Sequence, residues 1–83
     1  TTFLFAEYNL ELENELLRAN NYVKAEEYKL AIAALERALI LDPNSDQAKF
    51  GLAKIYLKMG NKKRANFYFS QIKNPTPEMQ KEI

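Results

Sequence analysis

Shifted against itself by 34 positions, the chain pairs like with like along much of its length. Leu16 falls on Phe50, Ala19 on Ala53, Tyr22 on Tyr56, Val23 on Leu57 and Lys24 on Lys58; further on, Ala31 meets Ala65, Leu35 meets Phe69 and Pro43 meets Pro77. A period between about 20 and 50 residues is the signature of stacked supersecondary units, each too small to bury its apolar face alone. Inside each unit the spacing is helical. Leu12, Leu16, Ala19 and Val23 recur at i, i+4, i+7 and i+11, while Ala31, Leu35, Ala38 and Leu41 return every three or four residues, so each unit reads as two amphipathic helices.

The punctuation between stripes agrees with this division. Gly60 can take the left-handed conformation that ends a helix, and Asn61 can then cap the next one. The equivalent residues of the first unit, Glu26 and Glu27, lack that permissiveness and cost up to about 1 kcal/mol if the same backbone is used. Asp42-Pro43-Asn44-Ser45 stops a helix, and Asn44 or Ser45 can accept the free N–H groups of the following one. Thr76-Pro77-Glu78 repeats the pattern with a capping hydroxyl, proline in the first turn and an acid at the positive end of the dipole. The spacing therefore predicts one helix ending near Lys24, others from about Tyr28 to Leu41, Asp46 to Met59 and Lys62 to Lys73, and a further start at Pro77. At the N-terminus Phe5, Tyr8 and Leu12 continue the first stripe and favour one long helix, whereas Tyr8, Leu10 and Leu12 also alternate and allow an extended lead-in. Phe3-Leu4-Phe5 is expected to pack on the stack or on another chain.

Eighty-three residues make one small domain, which buries only about 60% of its unfolded surface, so capping segments matter to its stability. Two glycines and three prolines argue against a loop-rich or disordered chain. There is no cysteine, histidine or tryptophan, hence no disulfide, no thiolate metal site and no imidazole base. The apolar N-terminal residues lack the basic region, long apolar stretch and cleavage pattern of a signal peptide, and no apolar run reaches the 18 to 20 or so residues that span a bilayer. The absent initiator methionine points to a processed chain or an excised domain; cytoplasm and periplasm both stay open as compartments. Residues 1–42 hold 8 acids and 4 bases and residues 43–83 hold 3 acids and 8 bases, so the net +1 conceals halves of −4 and +5. Opposite halves of this kind suit head-to-tail self-association through the terminal helices.

At these residues the chain resembles the tetratricopeptide repeat, whose pattern sets small residues at positions 8, 20 and 27, bulky apolar ones at 4, 7, 11 and 24, and proline at 32. With the frame starting at Leu12, the first unit offers Ala19, Tyr22, Ala31, Leu35, Ala38 and Pro43; starting at Asp46, the second offers Leu52, Ala53, Tyr56, Ala65, Phe69 and Pro77. The resemblance implies an all-α fold, an α/α right-handed superhelical solenoid of two helix-turn-helix units with flanking helical segments. Residues 1–83 would form a single domain: a flank at 1–11, repeats at 12–45 and 46–79, and the start of a further helix at 77–83. Position 4 departs from the pattern, being Glu15 and Lys49, as do Arg18 at position 7 and Ile72 at position 27. Leu16, Leu17 and Phe50 adjoin the missing apolar positions, so the first helix of each unit is expected to be rotated from the family norm. A fainter resemblance over residues 28–83, carried by Lys49-Phe50-Gly51-Leu52-Ala53-Lys54-Ile55-Tyr56-Leu57, Ala65, Phe69 and Pro75-Thr76-Pro77-Glu78-Met79, is to the periplasmic repeat domain of the surface lipoprotein assembly modifier family. It implies a structural domain of an outer-membrane assembly or secretion protein.

Catalysis needs a nucleophile beside a base, two carboxylates in different environments or a metal cluster. The only serines are Ser45 and Ser70, without a histidine to activate either, so the chain is read as no enzyme and as needing no cofactor. Glu7, Glu11, Glu13 and Glu15 form an acidic cluster better explained as a solvated helix face than as a metal site. Lys62-Lys63-Arg64, with Lys54, Lys58 and Lys73, interleaves with Tyr56, Phe67, Tyr68 and Phe69, a pattern RNA-binding helical repeats use; the overall charge of only +1 disfavours nucleic acid. Phe67 and Tyr68 exceed what the repeat frame needs and are expected to meet a further helix or a neighbouring chain. The resemblance implies instead a concave face lined by the first helix of each unit, with partner-binding residues Leu16, Asn20, Val23, Phe50, Lys54 and Leu57, suited to a helix or extended peptide with apolar anchors. Of the carboxylate-gripping clamp known in one subgroup only Asn20 fits, and Leu16 and Gly51 contradict it.

Overall fold

The computed structural model describes residues 2–83, with side chains from residue 9 onward. Five helices follow one another, α1 (Thr2–Lys24), α2 (Tyr28–Leu41), α3 (Asp46–Lys58), α4 (Lys62–Gln71) and α5 (Pro77–Gln80), with no strand among the described residues. They divide into two compact units: Thr1–Asn44, in which α1 packs on α2, and Ser45–Ile83, in which α3 packs on α4. The all-helical, paired architecture expected from the 34-residue period is the one observed. At the N-terminus α1 is helical from Thr2, so the extended lead-in is not adopted. The side chains of Phe3-Leu4-Phe5, expected to pack on the stack, lie outside the described residues.

Small residues bring each pair of helices together. Ala19 of α1 meets the unit core formed with Ala31, Ala34, Leu35 and Ala38 of α2; in the second unit Ala48, Leu52, Ala53, Ile55 and Tyr56 of α3 are buried with Ala65 and Phe69 of α4. Alanine on both sides lets helix axes approach, and Leu35, Leu52 and Phe69 fill the volume that remains.

The turns within the two units are the same structure in different residues. After α3, Gly60 adopts φ +82°, its N–H bonds to the Leu57 carbonyl at 3.0 Å, and the Asn61 N–H reaches back to the Tyr56 carbonyl at 2.8 Å. After α1, Glu26 adopts φ +59°, its N–H bonds to the Val23 carbonyl at 3.0 Å, and the Glu27 N–H reaches the Tyr22 carbonyl at 2.8 Å. Both are Schellman endings. What differs is the start of the next helix: the Asn61 side chain accepts from Arg64 N–H at 3.1 Å, whereas Glu27 makes no side-chain cap. Ser45 caps α3 through Ala48 N–H and Thr76 caps α5 through Met79 N–H, each at 3.2 Å.

α4 stops at Gln71, two residues short of the expected Lys73, and α3 at Lys58, one short of Met59. The first difference has a local cause. Ile72 is extended, and the Asp46 carboxylate at the start of α3 accepts the backbone N–H groups of Lys73 at 3.1 Å and Asn74 at 2.9 Å, drawing the chain out of the helix. The Asn74 bond, followed by that from Lys73 and by the nearby Lys49 and Lys73 charges, holds the Asp46 carboxyl below its ordinary 3.8 despite the opposing effect of desolvation. A depressed folded-state value means that this clasp adds its full stability above the unfolded value and loses it as pH falls from there through the folded one. Thermal melts of the wild type and of Asp46→Asn are therefore expected to differ at pH 7, and the difference should shrink as pH falls below 3.8 and through the depressed folded-state value.

Candidate functional site

The two charged residues at position 4 sit inside, not outside. Glu15 is 8% exposed and Lys49 7%. The Glu15 carboxylate takes an ion pair and hydrogen bond from the Arg37 guanidinium of α2 and a second ion pair from Arg18, 3.3 Å away and one turn along α1. Lys49 Nζ donates to the Gln71 carbonyl at 3.4 Å, at the negative end of the α4 dipole. The expected rotation of the first helix of each unit does not occur: these helices keep their core-facing line and carry charges on it. The reading of Glu15 as part of a solvated acidic face is likewise corrected, because a carboxylate held by two guanidinium groups can be buried where an unpaired one cannot. Glu11 and Glu13 are exposed, and the side chain of Glu7 lies outside the described residues.

Leu16, Asn20 and Val23 follow at i, i+4 and i+7 along α1. Leu16 and Val23 are half-buried and Asn20 is exposed. Phe50, Lys54 and Leu57 take the same spacing along α3, with Phe50 and Lys54 half-buried and Leu57 exposed, while Leu17 is exposed. Phe50 does double duty: its ring centroid lies 6.2 Å from that of Phe69 of α4, so part of it belongs to the second unit's packing. Lys54 is engaged rather than free. Its Nζ stands 5.2 Å above the Phe50 ring and 3.6 Å from the Glu82 carboxylate, carried by the segment after α5. That segment is anchored by Met79, which is buried.

The aromatic residues of α4 form a second cluster. Tyr68 lies flat against Tyr56 at 5.9 Å, Phe67 meets Tyr68 edge-on at 5.3 Å, and Arg64 covers the Tyr56 ring at 5.6 Å while donating to its hydroxyl at 3.2 Å. In the first unit α1 and α2 border an open groove of about 450 Å³, lined by Glu11, Asn14, Glu15, Arg18, Arg37, Ile40 and Leu41. The 34-residue comparison did not single out Arg37, Ile40 or Glu82. Arg37 carried the one available signal, a charge on a helix whose only other charged residues are Lys29 and Glu36, whereas the approach of Glu82 to Lys54 requires the chain to turn back after α4.

Among the described residues there is no group of three or more His, Cys, Asp or Glu side chains that could hold a metal ion. Nor is any described helix long and apolar enough to cross a membrane. Residues 16–81, most of the chain, match the sequence profile of the tetratricopeptide repeat. The chain belongs to the tetratricopeptide repeat family. No curated protein and no solved structure matches it significantly. Tetratricopeptide repeats are a non-catalytic scaffold fold that generally mediates protein–protein interaction. The match is to the repeat itself and gives no support to the fainter resemblance to the periplasmic assembly modifier family. In tetratricopeptide terms the departures at position 4 are substitutions of charge for apolar bulk in an unchanged frame.

Proposed function

We propose that the chain binds a peptide or partner protein through a concave face to which α1 contributes Leu16, Asn20 and Val23 and α3 contributes Phe50, Lys54 and Leu57. The observation that carries this reading is the equivalence of the two stripes. Each is apolar, polar, apolar at i, i+4 and i+7, each leaves part of its apolar surface accessible, and the two are related by the repeat period. The reading takes residues 1–83 as one domain, with repeats at 12–45 and 46–79, each offering its stripe to the ligand. Such a groove takes a helix or extended segment whose apolar anchors settle on Leu16, Val23 and Phe50 between polar contacts to Asn20 and Lys54. Self-association of the chain is a separate proposal that uses other surfaces.

The test begins with the intact chain as bait in a pulldown read by mass spectrometry, followed by titration of the captured partner. Lys54→Glu is expected to weaken binding about tenfold or more, as removal of a central interface contact does. The fold should tolerate it, because the Lys54–Glu82 pair is about half exposed and worth under about 1 kcal/mol. Phe50→Ala is the less informative variant, since loss of its contact with Phe69 destabilises the second unit directly. A Lys54→Glu protein that melts normally and still captures the partner at wild-type affinity would move the site to another surface.

A further inference from the structure

α2 is apolar round most of its circumference. Of its residues only Lys29, Glu36 and Arg37 are charged, a composition normally found in helices covered on every side. Yet Leu30 is exposed and Ile40 is 77% exposed. Ile40 and Leu41 form the apolar wall of the groove in the first unit, with Glu11, Asn14 and Arg18 of α1 opposite. The same positions of α3, one repeat later, are the buried Ala48 and Leu52 in place of Asn14 and Arg18. The first unit thus leaves open, and lines with polar groups, a helix face that the second unit buries.

The second unit exposes a large aromatic side chain. Phe67 of α4 is 56% exposed and meets Tyr68 edge-on, and Tyr68 is itself stacked on Tyr56, so one edge of the ring rests on the unit and the rest stands open to a partner. Lys63, four residues earlier and on the same side of α4, is exposed as well. The units are oppositely charged: residues 1–44 hold 8 acids and 4 bases, and residues 45–83 hold 3 acids and 8 bases.

We propose that the groove between α1 and α2 of one copy receives α4 of a second copy, with Phe67 seated against Ile40 and Leu41 and Lys63 paired with Glu11. The groove lining is itself balanced, two acids against two bases, and both arginines are drawn onto Glu15. Attraction between the −4 and +5 units therefore steers the approach, and burial of the aromatic knob holds the complex. The two surfaces are different patches, so the contact is heterologous. Each added copy leaves one groove and one α4 free, and assembly continues head to tail. None of the residues of the proposed peptide face takes part, so this inference stands or falls independently of that reading.

Sedimentation of the purified chain over a wide concentration range tests it. At low salt the average mass is expected to rise above 9.6 kDa with concentration and without a plateau, and added salt should lower it, because charge steering is screened over about 8–10 Å at physiological ionic strength. Ile40→Glu and Lys63→Glu should each abolish growth while melting like the wild type. Mixing those two variants is the sharper experiment: the intact α4 of the first fits the intact groove of the second, so the mixture should form a 1:1 complex and nothing longer. Association should return in the double variant Lys63→Glu/Glu11→Lys, whose exchanged charges lie on exposed residues and leave the fold intact. A wild type that stays monomeric at low salt, a dimer plateau that Lys63→Glu leaves unchanged, or a mixture of the two variants that remains monomeric would each overturn the proposal.

Discussion

Leu52→Ala is expected to cost about 2–5 kcal/mol, enough to unfold the second unit or to lower its melting temperature by tens of degrees. Leu52 is wholly buried in α3, and truncating it removes apolar burial and leaves a cavity that the buried Ala48, one turn earlier on the same face, is too short to fill. The residue one repeat earlier is Arg18, exposed on α1 and tied to Glu15 by an ion pair with the arginine half in solvent. Arg18→Ala should cost less than about 1 kcal/mol, since Arg37 still holds the carboxylate. Circular dichroism melts of the two variants side by side measure the contrast. Similar losses would mean that the face of α1 bearing Arg18 is covered in the same way as that of α3.

The largest expected gain comes from copying one turn onto the other. Glu26→Gly together with Glu27→Asn would give the first unit the turn residues of the second on a backbone that already has the right shape. Glu26 at φ +59° carries the left-handed penalty of up to about 1 kcal/mol for a residue with a Cβ, partly offset on mutation by the greater freedom of glycine in the unfolded chain. An asparagine at 27 would supply a cap worth about 1 kcal/mol by accepting from Leu30 N–H, as Asn61 does from Arg64 N–H. The pair should stabilise by about 1–2 kcal/mol, or about 4–8 °C for each kcal/mol gained. Gly60→Ala is the mirror experiment: beyond the adjoining residues nothing lies within 4 Å of the added Cβ, so its cost of about 1 kcal/mol is backbone conformation alone. A double variant at 26 and 27 no more stable than the wild type would show that the first turn relaxes in a way the second does not.

Much of the fold was legible because the repeat period, the alanines at 19, 31, 53 and 65 and the turn residues all specify the same helical hairpins. The equivalence of the two turns was legible in outline from Gly60 and Glu26, although only the backbone shows that glutamate accepts the left-handed position. The charges of position 4 were not. A pattern of polarity places Glu15 and Lys49 outside, since nothing local to either residue supplies a sufficient partner; Arg37 and the Gln71 carbonyl each lie 22 residues away, across a hairpin. The six residues of the candidate face fall on the helices expected of them, but nothing in the sequence pattern pairs Lys54 with Glu82. Its contact with Glu82 depends on α5 folding back, which starts from the Asp46 clasp and the burial of Met79.

Glu15 and Lys49 occupy the same place in successive repeats, and so do the residues they meet, Arg37 and Gln71. Identical hairpins in one chain invite a folding error in which a helix pairs with the second helix of the wrong repeat, because the small-and-large pattern fits either. Here that error has an electrical signature. Seating α3 on α2 would bring the Lys49 ammonium against the Arg37 guanidinium, and seating α1 on α4 would set the Glu15 carboxylate against the Gln71 backbone carbonyl at a partly buried site. The first mismatch leaves a buried ammonium against a like charge, and the second leaves Glu15 with Arg18 of its own helix but without Arg37, so each is disfavoured relative to the native pairing. The inward charges thus make the two helical hairpins distinguishable to one another, a lock whose key differs from repeat to repeat.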